Sequence, residues 1–531
     1  MFCASKHGAL LNKIPCLRVE LSVARAAFLA QSIQKEISCY KTKRMIARRI
    51  FARAVLFFWS LNVSVVLGQK TYIAPLEKKI EAMQDQLNAV MTAFPTAGST
   101  PVAHVYGQFP GKYSSSGWSL LKPWKSHGSL SQPSILAGGM TLVDYGIVVS
   151  FTGLYYVYGQ LHFDPHSGDS GCRFRLNPGS SQVIHAYTLS KTKTGSEDHT
   201  KYTGAIRLLN QGDVIRMYVL HCTLDYSHLG ETFLGAFFVS FNFLDNDGPP
   251  VTNSFYSYSS GSRSNGSVFS WHNHVLSHGG ASSSHQGLTI PKRGLYFVFG
   301  QQTLDPKSSN QDCGFWLQQQ YSNSRLASTY IRSFEANYDD RAEYTGLAAN
   351  LSAGRYLRMH AWFGCYFASS TLNYIGAFYL PFQNGPTVHL IGKFSGTYIK
   401  GTTLAGGWSP TMMNGNMKLD RNGFIVPTDG IYYIYAQIHM TPTTSSMKHC
   451  AYELRSSSSF GPSVIAAGVS FVPSPAKRDK VVYTGAATRL NAGSIVYVRM
   501  RGTCLLRYIG GKEQFLGGFY LRPSCGCSPY D

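Results

Sequence analysis

Thiols are the most reactive groups in this sequence, and their spacing recurs. Cys172 and Cys222, Cys313 and Cys365, and Cys450 and Cys504 stand about fifty residues apart within each pair. In an oxidising compartment each pair would close one disulfide, and a loop of that size contributes about 4 kcal/mol on the chain-entropy model. Zinc is the other chemistry open to paired thiols, but a structural site wants four ligands and no histidine pair accompanies these cysteines. Cys525 and Cys527, one residue apart in a Ser/Pro/Gly tail, are poorly placed to bridge each other. They either bridge a second chain or stand idle. Cys3, Cys16 and Cys39 near the start complete the set of eleven.

Other chemistry is sparse. His272, His274 and His278 have the density of a metal site, yet they lie among Ser and Gly in one stretch only, so a solvated loop is expected. There is no GxSxG, HExxH, phosphate-cradling loop or CxxC pair, and an enzyme would need a nucleophile, a base and oxyanion donors that converge. No catalytic residue, metal or cofactor is implied. Asn265 and Asn350 open N-x-S sequons and would carry glycans if the chain is exported.

The elements that position these groups follow from composition. A chain of 531 residues exceeds one core and suits three or four domains. It holds 33 Tyr and 31 Phe with only 14% charged residues, a balance that favours β-sheet cores over disorder. The net charge of +21 is uneven, with eleven Lys/Arg against two acidic residues in 1–53. No basic helix, zinc finger or basic–aromatic repeat accompanies it, so nucleic acid is not an expected partner. Solubility and attraction to acidic surface polymers account for the charge.

Residues 45–68 read as an export signal. Arg48, Arg49 and Arg53 form a basic leader, Ala54 to Gly68 an apolar run, and Val66-Leu67-Gly68 a small-residue cleavage site. The alternative is an uncleaved signal anchor behind a cytosolic tail 1–44, giving a single-pass type II membrane protein. Both readings place everything after Gln69 outside the cell. Ile73, Leu76, Ile80, Met83, Leu87, Val90 and Phe94 then form a heptad seam over 70–94, closed by Pro95, which predicts a short coiled-coil stalk.

Self-comparison reveals three copies of one unit. GLYYVYGQ at Gly153 returns as GLYFVFGQ at Gly294 and GIYYIYAQ at Gly430. YTG recurs at Tyr202, Tyr344 and Tyr483, and FLGAF at Phe233, Tyr374 and Phe515 as FLGAF, YIGAF and FLGGF. Each copy reads as short alternating strands with no convincing helix, which predicts a two-sheet sandwich. The paired cysteines occupy matching places in all three.

These motifs resemble the tumour necrosis factor ligand family over 101–243, 251–382 and 388–522. His104-Val105 and His389-Leu390 look like its first strand, Trp118, Trp271 and Trp408 like its early Trp, and the glycine–aromatic strand and closing FLGAF like its signature segments. Phe255 stands where the family's His is expected, and Arg355 and Ser494 replace the turn Asp. The resemblance implies an all-β fold of three tandem jelly rolls. It also implies trimeric packing on an aromatic axis, here Tyr158, Phe299 and Tyr435 in one layer. Tyr202, Tyr344 and Tyr483 would form a second, and Phe233, Tyr374 and Phe515 a third. The joins 244–250 and 383–387 reach roughly 24 and 17 Å at about 3.4 Å per residue, which suits neighbours side by side and so a pseudo-trimer made by one chain.

The function so implied is an extracellular cytokine that binds and clusters cysteine-rich receptors of the tumour necrosis factor receptor type. Family receptors lie in grooves between adjacent domains, and an aromatic at one turn is often a key contact. Tyr321 and Phe460 occupy that turn, and the first copy has Pro178-Gly179-Ser180-Ser181 instead. The stalk and the 523–531 tail would allow self-association. A complement-type globular-head recognition protein, or an adhesive extracellular protein, is the alternative.

Overall fold

Short runs of Tyr, Phe, Val and Ile alternating with polar residues pleat naturally into half-buried strands, and the described part of the chain is built of almost nothing else. The structure is a computed structural model that describes residues 100–523 apart from short loop segments, the longest being 188–198. Every described element is a strand and none is a helix. The leader 45–68, the heptad seam 70–94, Phe460, Cys525 and Cys527 lie outside the described residues.

In the first repeat one antiparallel sheet runs Ile135–Ala137, Val102–Tyr106, Phe233–Ser240, Gly153–Phe163, His199–Leu209. A second runs Thr141–Val143, Gly146–Val148, Val214–Leu220, Arg173–Pro178, Ile184–Tyr187. The same two orders recur in the second repeat, where Ser370–Tyr379 and Arg341–Leu351 flank Gly294–Asp305. They recur again in the third, where Lys480–Leu490 and Phe515–Arg522 flank Gly430–Thr441. This is a jelly roll three times over.

The two sheets of a repeat differ in what they face. Arg173–Pro178 and Val214–Leu220 alternate between buried and half-buried residues, as expected with one face in solvent. Gly153–Phe163 and Gly430–Thr441 are buried at every position. Covering both faces requires material beyond the repeat's own second sheet, and the neighbouring repeats supply it. Two of the junctions run on as one sheet. His199 pairs with Ser470, joining the first repeat's inner sheet to the third's outer sheet. Ile331 pairs with Lys480, joining the second's outer sheet to the third's inner sheet. No such pair joins the first repeat's outer sheet to the second's inner sheet among the described residues.

Each repeat also starts where it ends. Pro101, Pro250 and Pro386, just before the first strands, accept amide protons from Phe238, Tyr379 and Tyr520 of the last strands at 2.9, 2.9 and 3.0 Å. A chain leaving one repeat is therefore beside its own entry point, which keeps the connections short. The first tyrosine of each glycine–aromatic motif pins the turn before it. Tyr155, Tyr296 and Tyr432 donate to the carbonyls of Phe151, Lys292 and Thr428, each four residues back.

Disulfides link Cys172 to Cys222 and Cys450 to Cys504, with Cα atoms 4.6 and 5.1 Å apart. Cys313 is disulfide-bonded as well. The side chain of Cys365 lies outside the described residues.

Candidate functional site

Residues two apart on a strand face the same way, so one wide strand can offer several aromatics to a common axis. Three layers close there. Tyr202, Tyr344 and Tyr483 form an equilateral triangle with every pair of ring centroids 4.9 Å apart. Next to it Tyr156, Phe297 and Tyr433 close at 5.6, 5.6 and 5.9 Å. Beyond them Phe237, Phe378 and Phe519 close at 5.9, 6.1 and 6.4 Å.

Tyr158, Phe299 and Tyr435, expected on the axis, are fully buried but sit one shell out. Each meets an axial ring of a neighbouring repeat edge to face, Tyr158 with Tyr433 and Phe299 with Tyr156 at 5.4 Å and Tyr435 with Phe297 at 5.8 Å. Phe233, Tyr374 and Phe515 pack behind these at 6.1–6.2 Å within their own repeats. The strand can bring only one of its same-face aromatics onto the axis, and the residue two positions earlier takes that place. The signal was present in the same motifs, whose other aromatic is the axial one.

Two motif glycines exist to let these rings through. A Cβ on Gly235, Gly376 or Gly517 would stand 2.1–2.4 Å from the ring of Tyr158, Phe299 or Tyr435. A Cβ on Gly204 or Gly485 would stand 2.5–2.6 Å from the hydroxyl of Tyr156 or Tyr433.

The hydroxyls tie the repeats together in one rotational sense. Tyr156 pairs with Tyr344 and Tyr433 with Tyr202, both at 2.5 Å. The third pair is missing because position 297 is Phe. The buried Tyr483 hydroxyl makes no well-formed hydrogen bond, and its neighbour, the Tyr433 hydroxyl, is already engaged with Tyr202. Phe297→Tyr is therefore expected to add about 1 kcal/mol of stability, read as a higher denaturant midpoint. A lower midpoint would show that the site has no room for the hydroxyl. Burial pushes all five tyrosines of this network far above the usual phenol range, so they stay neutral donors and acceptors.

The motif glutamines also cross the seams, a role the sequence reading missed. Gln160 donates to Ala467 O in the third repeat at 2.7 Å, and Gln437 to Ser328 O in the second at 2.8 Å. Gln301 accepts from Thr203 in the first at 2.9 Å. Backbone amides follow the same direction: Ala487 donates to Tyr158 and Ala348 to Tyr435, both at 2.9 Å. In the second repeat the hydroxyl has moved to Tyr374, which accepts from Gly204 N at 3.3 Å.

The three seams nevertheless differ. Between the first and third, Glu231 meets Arg501 and stands 3.1 Å from His162. Between the third and second, Glu513 accepts from Ser328 at 3.1 Å and His439 pairs with Tyr330 at 2.7 Å. Between the first and second, Lys201 forms a buried ion pair with Glu343. The equivalent residue of the third repeat is Val482, so a position that symmetry would make identical holds a cation, an anion and an alkyl group.

His104 and His389 lie behind the axis, 3.1 and 3.2 Å from the Tyr158 and Tyr435 hydroxyls. Burial drives both down to about 3, with Lys512 adding to the effect at His389, so both are neutral. In the second repeat the strand register puts Asn253, not the expected Phe255, at the histidine's place opposite Gly376, and Phe299 replaces the tyrosine; Phe255 pairs with Tyr374.

Tyr321 is 78% exposed on the tip between Gln311–Gln319 and Arg325–Ser333, with the Arg355 guanidinium 4.7 Å over its ring. Arg355, a departure from the expected turn Asp, thus props up the most exposed aromatic among the described residues. Asn265 and Asn350 are both exposed. His278 is buried, which lowers its pKa, and the side chains of His272 and His274 lie outside the described residues. No group of three or more metal-ligating side chains gathers among the described residues.

Comparisons with known proteins bear on this arrangement. The model of the TNF (Tumour Necrosis Factor) family matches residues 123–239 and 407–521. Tumor necrosis factor of Sparus aurata is 25% identical over 222 residues, 36% of this chain and 84% of that protein. Among solved structures, Eiger TNF from S. frugiperda is 20% identical with a TM-score of 0.23, covering 27% of this chain and 96% of its own. Murine APRIL is 19% identical with a TM-score of 0.22, covering 26% and 98%.

Proposed function

Because this chain belongs to the tumour necrosis factor family, we propose that it is an extracellular ligand in which one polypeptide supplies the whole trimer and clusters cysteine-rich cell-surface receptors. The observation that carries this reading is the closed tyrosine triangle, one ring from each repeat at 4.9 Å. The repeats 101–243, 251–382 and 388–522 act as the three subunits, the middle one on the strength of its identical sheet order. Residues 45–68 export the chain, by cleavage or as an anchor, and the 70–94 stalk and Cys525/Cys527 join chains. Receptors dock in the seams, with Tyr321 and Phe460 as contacts. Because the seams carry different side chains, one chain holds fewer than three receptors of one kind. Nothing in the site calls for an enzymatic role.

Light scattering on residues 101–522 tests the assembly. A compact single chain is expected, whereas a mass of three chains that persists on dilution would overturn it. Binding of the secreted chain to cysteine-rich receptor ectodomains, set against microbial and polysaccharide ligands, tests the recognition. Binding to the latter alone would replace the ligand reading with a pattern-recognition one.

A further inference from the structure

A shallow, open cleft of about 710 Å³ lies where the second and third repeats meet. The second repeat contributes Asn350 and the connection Gln383–Asn384, and the third contributes Met413, Asn414 and Asn416. Its chemistry is unusual for this molecule. In a chain of net charge +21 the lining holds no charged residue and is dominated by carboxamides. An anion would find no cation there, a metal no carboxylate or imidazole, and an apolar peptide little beyond two methionines. Amides that can donate and accept at once suit a neutral ligand rich in hydroxyl and acetamido groups.

The cleft is also built to hold its shape. Gln383 is locked by its own backbone contacts, accepting from Leu295 N and donating to Leu295 O and Leu380 O. Across from it Asn414–Met417 is a tight turn with Gly415 and Asn416 at φ 62° and 63°, which aims the Asn414 and Asn416 amides from a fixed frame. At the rim Asn350 opens the sequon Asn350-Leu351-Ser352 and is exposed.

We propose that the N-glycan carried by Asn350 seats its first sugars in this cleft, bridging the second and third repeats through Asn384, Asn414 and Asn416. The occupant is tethered at the rim, so binding is intramolecular and weak individual hydrogen bonds suffice. Asn265, the other sequon beyond the export signal, lies on an exposed turn beside Gly266, which has open space around it, so its glycan projects into solvent. The inference rests on the proposed export of the chain.

The test uses the full chain made in eukaryotic secretory cells, with glycopeptide mapping and a time course of release by peptide-N-glycosidase under native conditions. Both asparagines are expected to be occupied, with release at Asn350 about tenfold slower than at Asn265. Asn414→Ala with Asn416→Ala is expected to bring the Asn350 rate up to that of Asn265. Secretion with Asn265 occupied and Asn350 bare overturns the inference and leaves the export reading intact. Equal release rates in the unaltered chain overturn it too. Retention in the cytosol with both asparagines bare overturns the export reading and the inference together.

Discussion

Lys201→Glu is expected to lower the stability of the fold by at least about 3–5 kcal/mol, the usual cost of breaking a buried ion pair. Lys201 and Glu343 are 5% and 4% exposed, beside the axial tyrosines, and Lys201 also donates to Ala342 O at 3.3 Å. The substitution leaves Glu343 buried without its cation and sets a second carboxylate against it. Glu343→Lys in the same chain restores opposite charges and should recover most of the loss. Lys201→Met with Glu343→Leu should be close to neutral, because removing both ions also removes both desolvation costs. Denaturant midpoints of the four chains decide. If Lys201→Glu alone leaves the midpoint unchanged, the pair is not formed in solution.

The same pair bears on how the chain assembles. If three chains associated repeat by repeat, one axis would gather three copies of Lys201 and another three of Glu343, each set buried with no counter-charge. A single chain places one lysine, one glutamate and Val482 around the axis instead. The Phe297 and Tyr374 exchanges point the same way, since hydroxyls deleted or moved in the second repeat meet partners on different repeats. The axial faces have become complementary to each other rather than to themselves.

Much of this was legible in the sequence because a threefold repeat supplies its own controls. GLYYVYGQ, YTG and FLGAF recur in order, and each falls on an inner strand buried on both faces, so aromatic density reported the axis directly. Which aromatic reaches the axis was not legible. Tyr156 and Tyr158 share a face, and the choice between them depends on how the strands cross at the axis, a tertiary property. Gln160, Gln301 and Gln437 were visible as motif endings, but nothing local says that their amides span to another repeat. The unequal seams were hidden for a related reason. Lys201, Glu343 and Val482 look like ordinary variation at one repeat position until the axis brings them together.

The second large effect is expected in acid. His104 and His389 titrate near 6.5 in an unfolded chain and are driven to about 3 in the fold. Between those values the unfolded chain binds protons that the folded chain cannot. The stability tied to each histidine is therefore fully present above pH 6.5 and is lost progressively as pH falls toward 3. At about 1.4 kcal/mol per pH unit, each histidine takes about 2 kcal/mol by pH 5, and the two together take about 4. Carboxylates with ordinary values remain largely ionised at pH 5, so the window from 7.5 to 5 isolates imidazole titration. Asn253, at the same register position of the second repeat, indicates a replacement the fold accepts, and His104→Asn leaves the Tyr158 hydroxyl accepting from Ala487 N. Denaturant midpoints at pH 7.5 and 5 should show the acid loss reduced by about 2 kcal/mol in His104→Asn and about twice that when His389→Asn is added. The readout is the difference between the two pH values, so any cost of the substitution common to both cancels. If the doubly substituted chain loses as much stability in acid as the original, the two histidines are not the groups that resist protonation, and the acid response belongs elsewhere, with His162 beside Glu231 the next site to examine.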